Sequence, residues 1–422
     1  MAWSIHSGAM GTLLRPDVQS LPRDELVLLQ GQRLRDLMPR AYEVPFFRRI
    51  LEGAGIGPDD VKTPDDLLRV PRITKQDLRD SEDANPPLGD YRGAAVEQCI
   101  RLSTSTGTTG RPTISLFTPH DLAVEYDAAG RSFARQGYLP GEIVTHAHPG
   151  GLNGGQALLG GALEAYGCLN VPVGPPMSKA DAERAIALWR ELRPHRYEMF
   201  GHALHTFWET AKEMGLDPVA DLGMPPPAEL PPWRTVSAGL ECFAFLGSAC
   251  EEMNGAHVCE DEAIVEAIDP GTGEHVPDGK RGHLVVTTLT KHNFLIRYDL
   301  EDLVRLERSP CPCGETHLRA FWDGRAKDIV RAGEHDLLPM DVWLVLRTIE
   351  AVAQPAVEYQ LVRTADTSVL RVRVETAKPE PALETLVTGE LERRLDVPVR
   401  LELLPAGALP RPAYKPAPVV DE

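Results

Sequence analysis

The chain has 422 residues, a formal net charge of −18, 42% apolar and 25% charged residues. That length exceeds one ordinary hydrophobic core and predicts two domains. The acidic balance argues against a nucleic-acid partner but leaves room for a small anion held by backbone amides. No run approaches the ~18 apolar residues of a membrane span, and the first residues lack the basic-then-apolar order of a secretory signal. The expected setting is therefore cytoplasmic, without a membrane partner.

In chain order, residues 22–52 space their apolar side chains at helical intervals, with Pro45 as a break. Thr63 and Thr74 open short helices as N-caps. The apolar strand in "EQCIRL" runs into "STSTGTTGRPT", residues 103–113. Thr118 then caps a helix, "EIVTHAH" reads as a strand, and "GGLNGGQALLGGALEAYG" reads as a helix of small residues suited to close packing. This alternation predicts an α/β sheet. The proline-punctuated "LGMPPPAELPPW" (222–233) reads as a connector. "AIVEAID", "GHLVVTTLT" and "LVRLERS" read as strands of a β-rich part. From about residue 327 the chain restarts: a helix in "LLPMDVWLVLRTIEAV", strands "EYQLVR" and "VLRVRVET", a helix in "ALETLVTGELERRL" and a strand in "VRLELLP" make an α+β unit.

The stretch "STSTGTTGRPT" combines hydroxyls, two glycines and a cation, which is what a loop needs to wrap phosphate oxygens. It is not a Walker A loop, because two residues separate Gly107 from Gly110 and no Lys-Ser/Thr pair follows. The alternative is a polar surface turn. Seven cysteines, an odd number, point to free thiols or metal rather than disulfides. Cys250, His257, Cys311 and Cys313 offer three soft thiolates and one imidazole, a set that fits tetrahedral zinc. Cys259 and His317 are backup ligands; Cys99, Cys168 and Cys242 read as core or pocket residues. His146 and His148 share a strand face without an evident third ligand, so they read as pocket residues.

Together these segments resemble the phenylacetate–CoA ligase branch of the adenylate-forming enzymes. The loop is similar to that superfamily's S-S-G-T-T-G-K-P-T phosphate loop, and "ELVLLQGQRLRDLMPRAYEVPFFRRILEGAGIGPDDVKTPDDLLRVPRITKQDLRD" resembles the branch's opening. The similarity runs to the C-terminus and is weakest between about residues 150 and 240. The resemblance implies that Ser103, Ser105, Thr106, Gly107, Thr108, Thr109, Gly110 and Arg111 hold the phosphates of ATP. In "FLIRYDLEDLVRL" it picks Asp302 for the ribose hydroxyls, leaving Asp299 and Glu301 as solvated strand-end residues. In "GRAKDIVRAGEH" it makes Arg325 a nucleotide contact and Lys327 the hinge. In "LPRPAYKPAPVVD" it makes Lys415 the catalytic lysine, with Pro416 after it atypical; the other reading is a Pro-rich tail. Some members of the group carry the Cys…His…Cys-x-Cys set as a structural zinc site. The glycine-rich segment after "THAHPGG" lines the acid pocket in the family, so His146, His148 and Asn153 are pocket candidates; Gly239 is a further one.

One motif departs from the family. Its Y-G-x-T-E segment, whose glutamate helps hold magnesium, falls on "SAGLE" (237–241): Glu241 survives, while Ser237 and Leu240 replace the aromatic and the threonine. An alternative match is the family's upstream "GAE", in which case about a helix and a strand are missing near residue 242. Loss of one aromatic stack weakens nucleotide binding by about a kcal/mol.

The resemblance thus implies an adenylate-forming α/β fold. A large multi-sheet N-terminal domain spans 1–326, zinc-stapled near 250–315, and a small mobile α+β domain spans 327–422. The implied activity is ATP-dependent activation, with Mg²⁺, of an aromatic, phenylacetate-like acid through an acyl-adenylate, then transfer to coenzyme A. Alternatives are a carrier-protein thiol or an amine as acceptor, a non-catalytic nucleotide- or acyl-binding descendant, and a zinc hydrolase, which four protein ligands disfavour. A homodimer is implied by the resemblance alone.

Overall fold

Local signals decide where the first helices start and stop in this computed structural model. Pro45 opens the helix Pro45–Gly53 in its first turn, directly after the helix Arg23–Glu43, where its missing N–H breaks no helical bond. Thr74 caps the helix Lys75–Ala84. Thr118 caps Pro119–Arg135: its Oγ1 accepts the Asp121 amide at 3.1 Å, and Asp121 Oδ2 accepts the Thr118 amide at 2.9 Å, a reciprocal capping box. The structure describes residues 11–104, 112–199, 201–224, 235–353, 357–410 and 418–422.

The described residues fall into two units, one within 1–174, 194–198 and 231–322, the other within 175–193, 199–230 and 323–422. In the first, strand β1 (Ile73–Thr74) precedes a two-stranded antiparallel hairpin of β2 (Arg101–Thr104) and β3 (Ile114–Phe117). A parallel sheet follows, in the order β5 (Leu169–Pro172), β4 (Ile143–His146), β6 (Arg196–Glu198). The largest sheet contains β7 (Thr235–Val236), β8 (Gly247–Ala249), β9 (Ala256–Val258), β10 (Ala263–Ile268), β11 (Arg281–Thr288), β12 (Tyr298–Glu307) and β13 (Arg319–Arg325). Their order is β10-β11-β12-β13-β9-β8-β7, and β1 pairs parallel with β12. The main core lies between this sheet and the N-terminal helices; it holds Leu34, Leu37, Phe47, Phe243, Val286 and Tyr298, among others.

The second unit contains the hairpin of β14 (Val330–Ala332) and β15 (His335–Leu337). Its four-stranded sheet runs β18 (Val399–Pro405), β17 (Leu370–Thr376), β16 (Tyr359–Arg363), β19 (Val419–Asp421). Its core joins Leu361, Val372 and Leu401 of the sheet to Val342 and Val345 of the helix Pro339–Leu346 and to Val387 and Leu391 of Pro381–Leu395. The fold is mixed α/β with several sheets, as the alternation of elements predicts. Among the described residues no helix is long and apolar enough to cross a membrane.

Three sequence expectations change. "LLPMDVWLVLRTIEAV" forms two helices, Pro339–Leu346 and Glu350–Ala353, rather than one. Between them Thr348 Oγ1 bonds the Val345 carbonyl at 2.7 Å, a local bond that competes with helix continuation. Asp299 is not a solvated strand end: it is buried, with Arg72 Nη1 at 3.0 Å and His283 Nδ1 at 3.1 Å. Its strand has neighbours on both sides, β1 and β11, so the chain carries it inside the sheet. The C-terminal residues supply a strand that the Pro-rich reading omitted, β19, parallel to β16.

Candidate functional site

Glu241 sits five residues after the end of β7, in a turn that glycine makes possible. Gly239 has φ +79°, a left-handed conformation that side chains rarely adopt, and the Glu241 carboxylate closes over it. Two donors meet on Glu241 Oε1: Lys75 Nζ at 3.1 Å and Tyr298 Oη at 3.0 Å. Both come from one pairing. The register Ile73↔Tyr298 of β1 against β12 sets Tyr298 beside the start of the Lys75 helix, whose N-cap is Thr74. Burial, then the neighbouring Glu241 charge, push the Tyr298 hydroxyl well above its ordinary pKa, so it stays a donor. A cavity beside the carboxylate is lined by Tyr91, Arg92, Ser115, Leu240, Glu241 and Asn293, among others. The buried Ser115 hydroxyl there has no hydrogen-bond partner among the described residues. Neither Lys75 nor Tyr298 was singled out from the sequence. They lie 166 and 57 residues from Glu241, and no local spacing connects them.

The phosphate-loop candidates Ser105, Thr106, Gly107, Thr108, Thr109, Gly110 and Arg111 lie outside the described residues, as does Lys415. The strand that leads into the loop is described. Ser103 is buried at the end of β2, opposite Ser115 in the hairpin register. Its hydroxyl occupies the space a side chain at Gly154 would need. The Thr104 amide bonds the Leu152 carbonyl at 2.7 Å, which brings the loop's root to the turn before the helix Gly155–Tyr166. Asn153 Oδ1 accepts the Gly155 amide at 3.1 Å at that helix's start. His148 Nδ1 and Asn153 Oδ1 both border Gly155, next to the Gly154 that Ser103 covers, so Asn153, His148 and Ser103 gather at one place. Asp302 lies on β12, buried, and accepts a hydrogen bond from Trp322 Nε1 at 3.1 Å. In the second unit, Arg325 ends β13 and is exposed, and Lys327 lies in the turn Ala326–Asp328, where its carbonyl accepts Arg363 Nη2 at 2.6 Å.

His146 ends β4, fully buried, with Nε2 3.0 Å from Asn170 Oδ1. Burial, reinforced by His148, lowers its pKa to about 4 and keeps the ring neutral. His148 is lowered too, again by burial, and its ring centroid lies 5.8 Å from that of His146.

The cysteine–histidine set does converge. The donor atoms of Cys250, His257, Cys311 and Cys313 all lie within 4.8 Å of one another. Cys250 Sγ is 3.8 Å from Cys311 Sγ, and Cys313 Sγ is 3.3 Å from His257 Nε2. Strand pairing builds the group: β8 and β9 set Ser248 opposite His257, and β13 pairs with β9 through Arg319. His257 Nδ1 donates to the His317 carbonyl at 2.8 Å, which leaves Nε2 for the group. His317 thus supports the set rather than joining it, and Cys259 is fully buried outside it. Burial raises the Cys250 and Cys313 thiols, a cost that a bound cation would offset.

No family model matches the chain. Among curated proteins it is similar to the phenylacetate–coenzyme A ligase of Thermus thermophilus. The two are 33% identical across 94% of this chain and 97% of that one. Among solved structures it is similar to a 2-hydroxyisobutyryl-CoA ligase in complex with its acyl-adenylate and CoA in the thioesterification state. There the identity is 26% and the TM-score 0.68, covering 96% of this chain and 92% of that one. Against the same ligase in the post-adenylation state the TM-score is 0.85 at 24% identity, over 96% and 92% of the chains, which establishes the fold.

Proposed function

Because the chain belongs to the phenylacetate–CoA ligase family, we propose that it is an AMP-forming acid–thiol ligase that activates an aromatic, phenylacetate-like acid and passes the acyl group to coenzyme A. The observation that carries this reading is the identity to a curated ligase over nearly the whole of both chains.

In the first half-reaction a carboxylate oxygen of the acid attacks the α-phosphorus of ATP and pyrophosphate leaves. In the second, the CoA thiolate attacks the acyl carbonyl and AMP leaves with the bonding electrons. Lys415 is the proposed cation that offsets charge on the α-phosphate during the first step. Residues 105–111, with Ser103 at their root, are the proposed phosphate cradle, and Asp302 accepts from the ribose hydroxyls. His146, His148 and Asn153 are proposed to line the acid pocket with Gly239. The unit 327–422 is proposed to pivot at Lys327 between the two steps, with Arg325 on the nucleotide, so that the reactive adenylate is kept from water.

Magnesium fits Glu241 by donor chemistry, since among the described residues both side-chain hydrogen bonds to its carboxylate meet Oε1. Bound there, the ion would neutralise phosphate charge. Zinc fits the four-residue group: three thiol sulfurs and one imidazole nitrogen are the donors of a structural tetrahedral site, and all four positions come from protein. It would staple the 250s turn to the 311–314 turn. A carrier-protein thiol or an amine is the alternative acceptor; a homodimer and a cytoplasmic location belong to the proposal.

ATP–pyrophosphate exchange tests the reading, with magnesium and a panel of arylacetic, aryl, short aliphatic and 2-hydroxy acids. Exchange is expected with arylacetic acids, followed by a thioester when CoA is added. The 2-hydroxy acids enter because of the likeness to the 2-hydroxyisobutyryl-CoA ligase. Nucleotide binding without exchange for any acid would favour the non-catalytic reading, with Ser237 and Leu240 as the reason.

A further inference from the structure

One buried arginine touches both segments that carry the metal group. Arg135 is the last residue of the helix Pro119–Arg135 and is fully buried. Its Nε donates to Glu315 Oε2 at 2.7 Å and its Nη2 to Glu315 Oε1. Its Nη1 donates to Ser248 Oγ at 3.2 Å. Glu315 follows Cys313 by two residues, and its amide donates to Cys313 Sγ at 3.4 Å. Ser248 precedes Cys250 by two residues and lies opposite His257 in the β8–β9 register. The guanidinium therefore spans from the Cys311–Cys313 turn to the strand pair that supplies Cys250 and His257. A planar fork with five donors reaches both, whereas a lysine ammonium on a flexible stem does not.

We propose that Arg135 is a positioning residue for the metal group, acting through Glu315 and Ser248, and that it sets how long zinc is retained. This rests on the zinc reading above. The physical reason is pre-organisation. Four donors on two separate segments bind a metal tightly only if they are already gathered, and groups that orient ligands without touching the ion change affinity by about 10- to 100-fold. The buried pair Arg135–Glu315 fixes one turn, and the contact to Ser248 fixes the other relative to it.

The neighbouring pair Arg131–Asp261, one turn earlier on the same helix, supplies a matched control. It is equally buried, with Nη1–Oδ1 at 2.6 Å and Nη2–Oδ2 at 3.0 Å, and among the described residues Arg131 bonds Asp127 and Asp261 rather than the four donors, Ser248 or Glu315. The experiment measures zinc per chain by elemental analysis, then the rate of zinc transfer to a chromogenic chelator, for wild type and two double variants. Arg135→Met/Glu315→Leu replaces one buried pair with apolar side chains, and Arg131→Met/Asp261→Leu replaces the other; such exchanges are often tolerated by a fold. The expected result is one zinc per wild-type chain, release at least tenfold faster from the Arg135/Glu315 variant, and release within about twofold of wild type from the control. Should either double variant fail to fold, Arg135→Lys and Arg131→Lys replace the two, with the same expected contrast. Equal acceleration in both variants, or in neither, would overturn the positioning role while leaving the zinc reading intact. Wild-type protein without zinc would overturn the zinc reading, and the proposal with it.

Discussion

Glu241 owes its setting to residues far from it in the chain. Lys75 is a partly exposed cation on a largely buried carboxylate, and Tyr298 is fully buried on the same oxygen. If Glu241 holds magnesium, Lys75 competes with that ion for the carboxylate. Lys75→Met should then lower the magnesium concentration for half-maximal pyrophosphate exchange several-fold, and Lys75→Arg should restore the wild-type requirement. A magnesium titration of both variants checks this; an unchanged requirement would detach Glu241 from the ion. Glu241 was singled out in sequence because it is a carboxylate at a recognisable position in "SAGLE". Its partners were not, since they are defined by a strand pairing between residues 73 and 298.

Elements were legible where a local rule fixes them. Thr74 and Thr118 declare their helices through a side chain three residues upstream of an acid, and both form capping boxes. The Thr118 cap carries extra weight, because Asp121 Oδ1 also accepts the His292 amide at 2.6 Å, tying the helix start to the segment after β11. Thr118 is itself buried. Thr118→Ala should therefore cost about 1–2 kcal/mol of stability, the upper part of the range for a lost cap. Urea unfolding at pH 7 measures it, and a midpoint within error of wild type would mean that Asp121 alone holds the helix start. The short strands β7, β8 and β9 left little trace in sequence. Two or three residues are too few for an alternation signal, and β8 and β9 are buried throughout. The convergence of Cys250, His257, Cys311 and Cys313 was legible despite them, because thiols and imidazole announce their chemistry whatever strand they sit on.

Over the whole molecule, the buried histidines make stability depend on pH with a definite sign. His146 has a folded pKa of about 4, below its ordinary 6.5. The unfolded chain therefore binds a proton that the folded one refuses. The stability this gives neutral His146 is complete above pH 6.5 and is lost as pH falls toward about 4. His148 is shifted in the same direction. His283 is raised by Asp299 and opposes them: its contribution is present below pH 6.5 and fades as pH rises through its folded value. Wild type should lose stability between pH 7 and 5, and His146→Gln should lose about 2 kcal/mol less over that interval. Paired urea titrations at the two pH values check it; equal losses would show that His146 is not the group responsible.

The strand β19 is short, but it decides what flanks β16. The Leu409 amide is bonded to Glu375 on β17, and Val419 pairs with Leu361 in β16. The Pro418 carbonyl accepts the Leu361 amide at 2.8 Å. Residues 418–422 thus cover an edge that β16 would otherwise present bare, with N–H and C=O groups open to any passing strand. These few residues act as a selvedge: they finish the sheet and keep it from being woven to another.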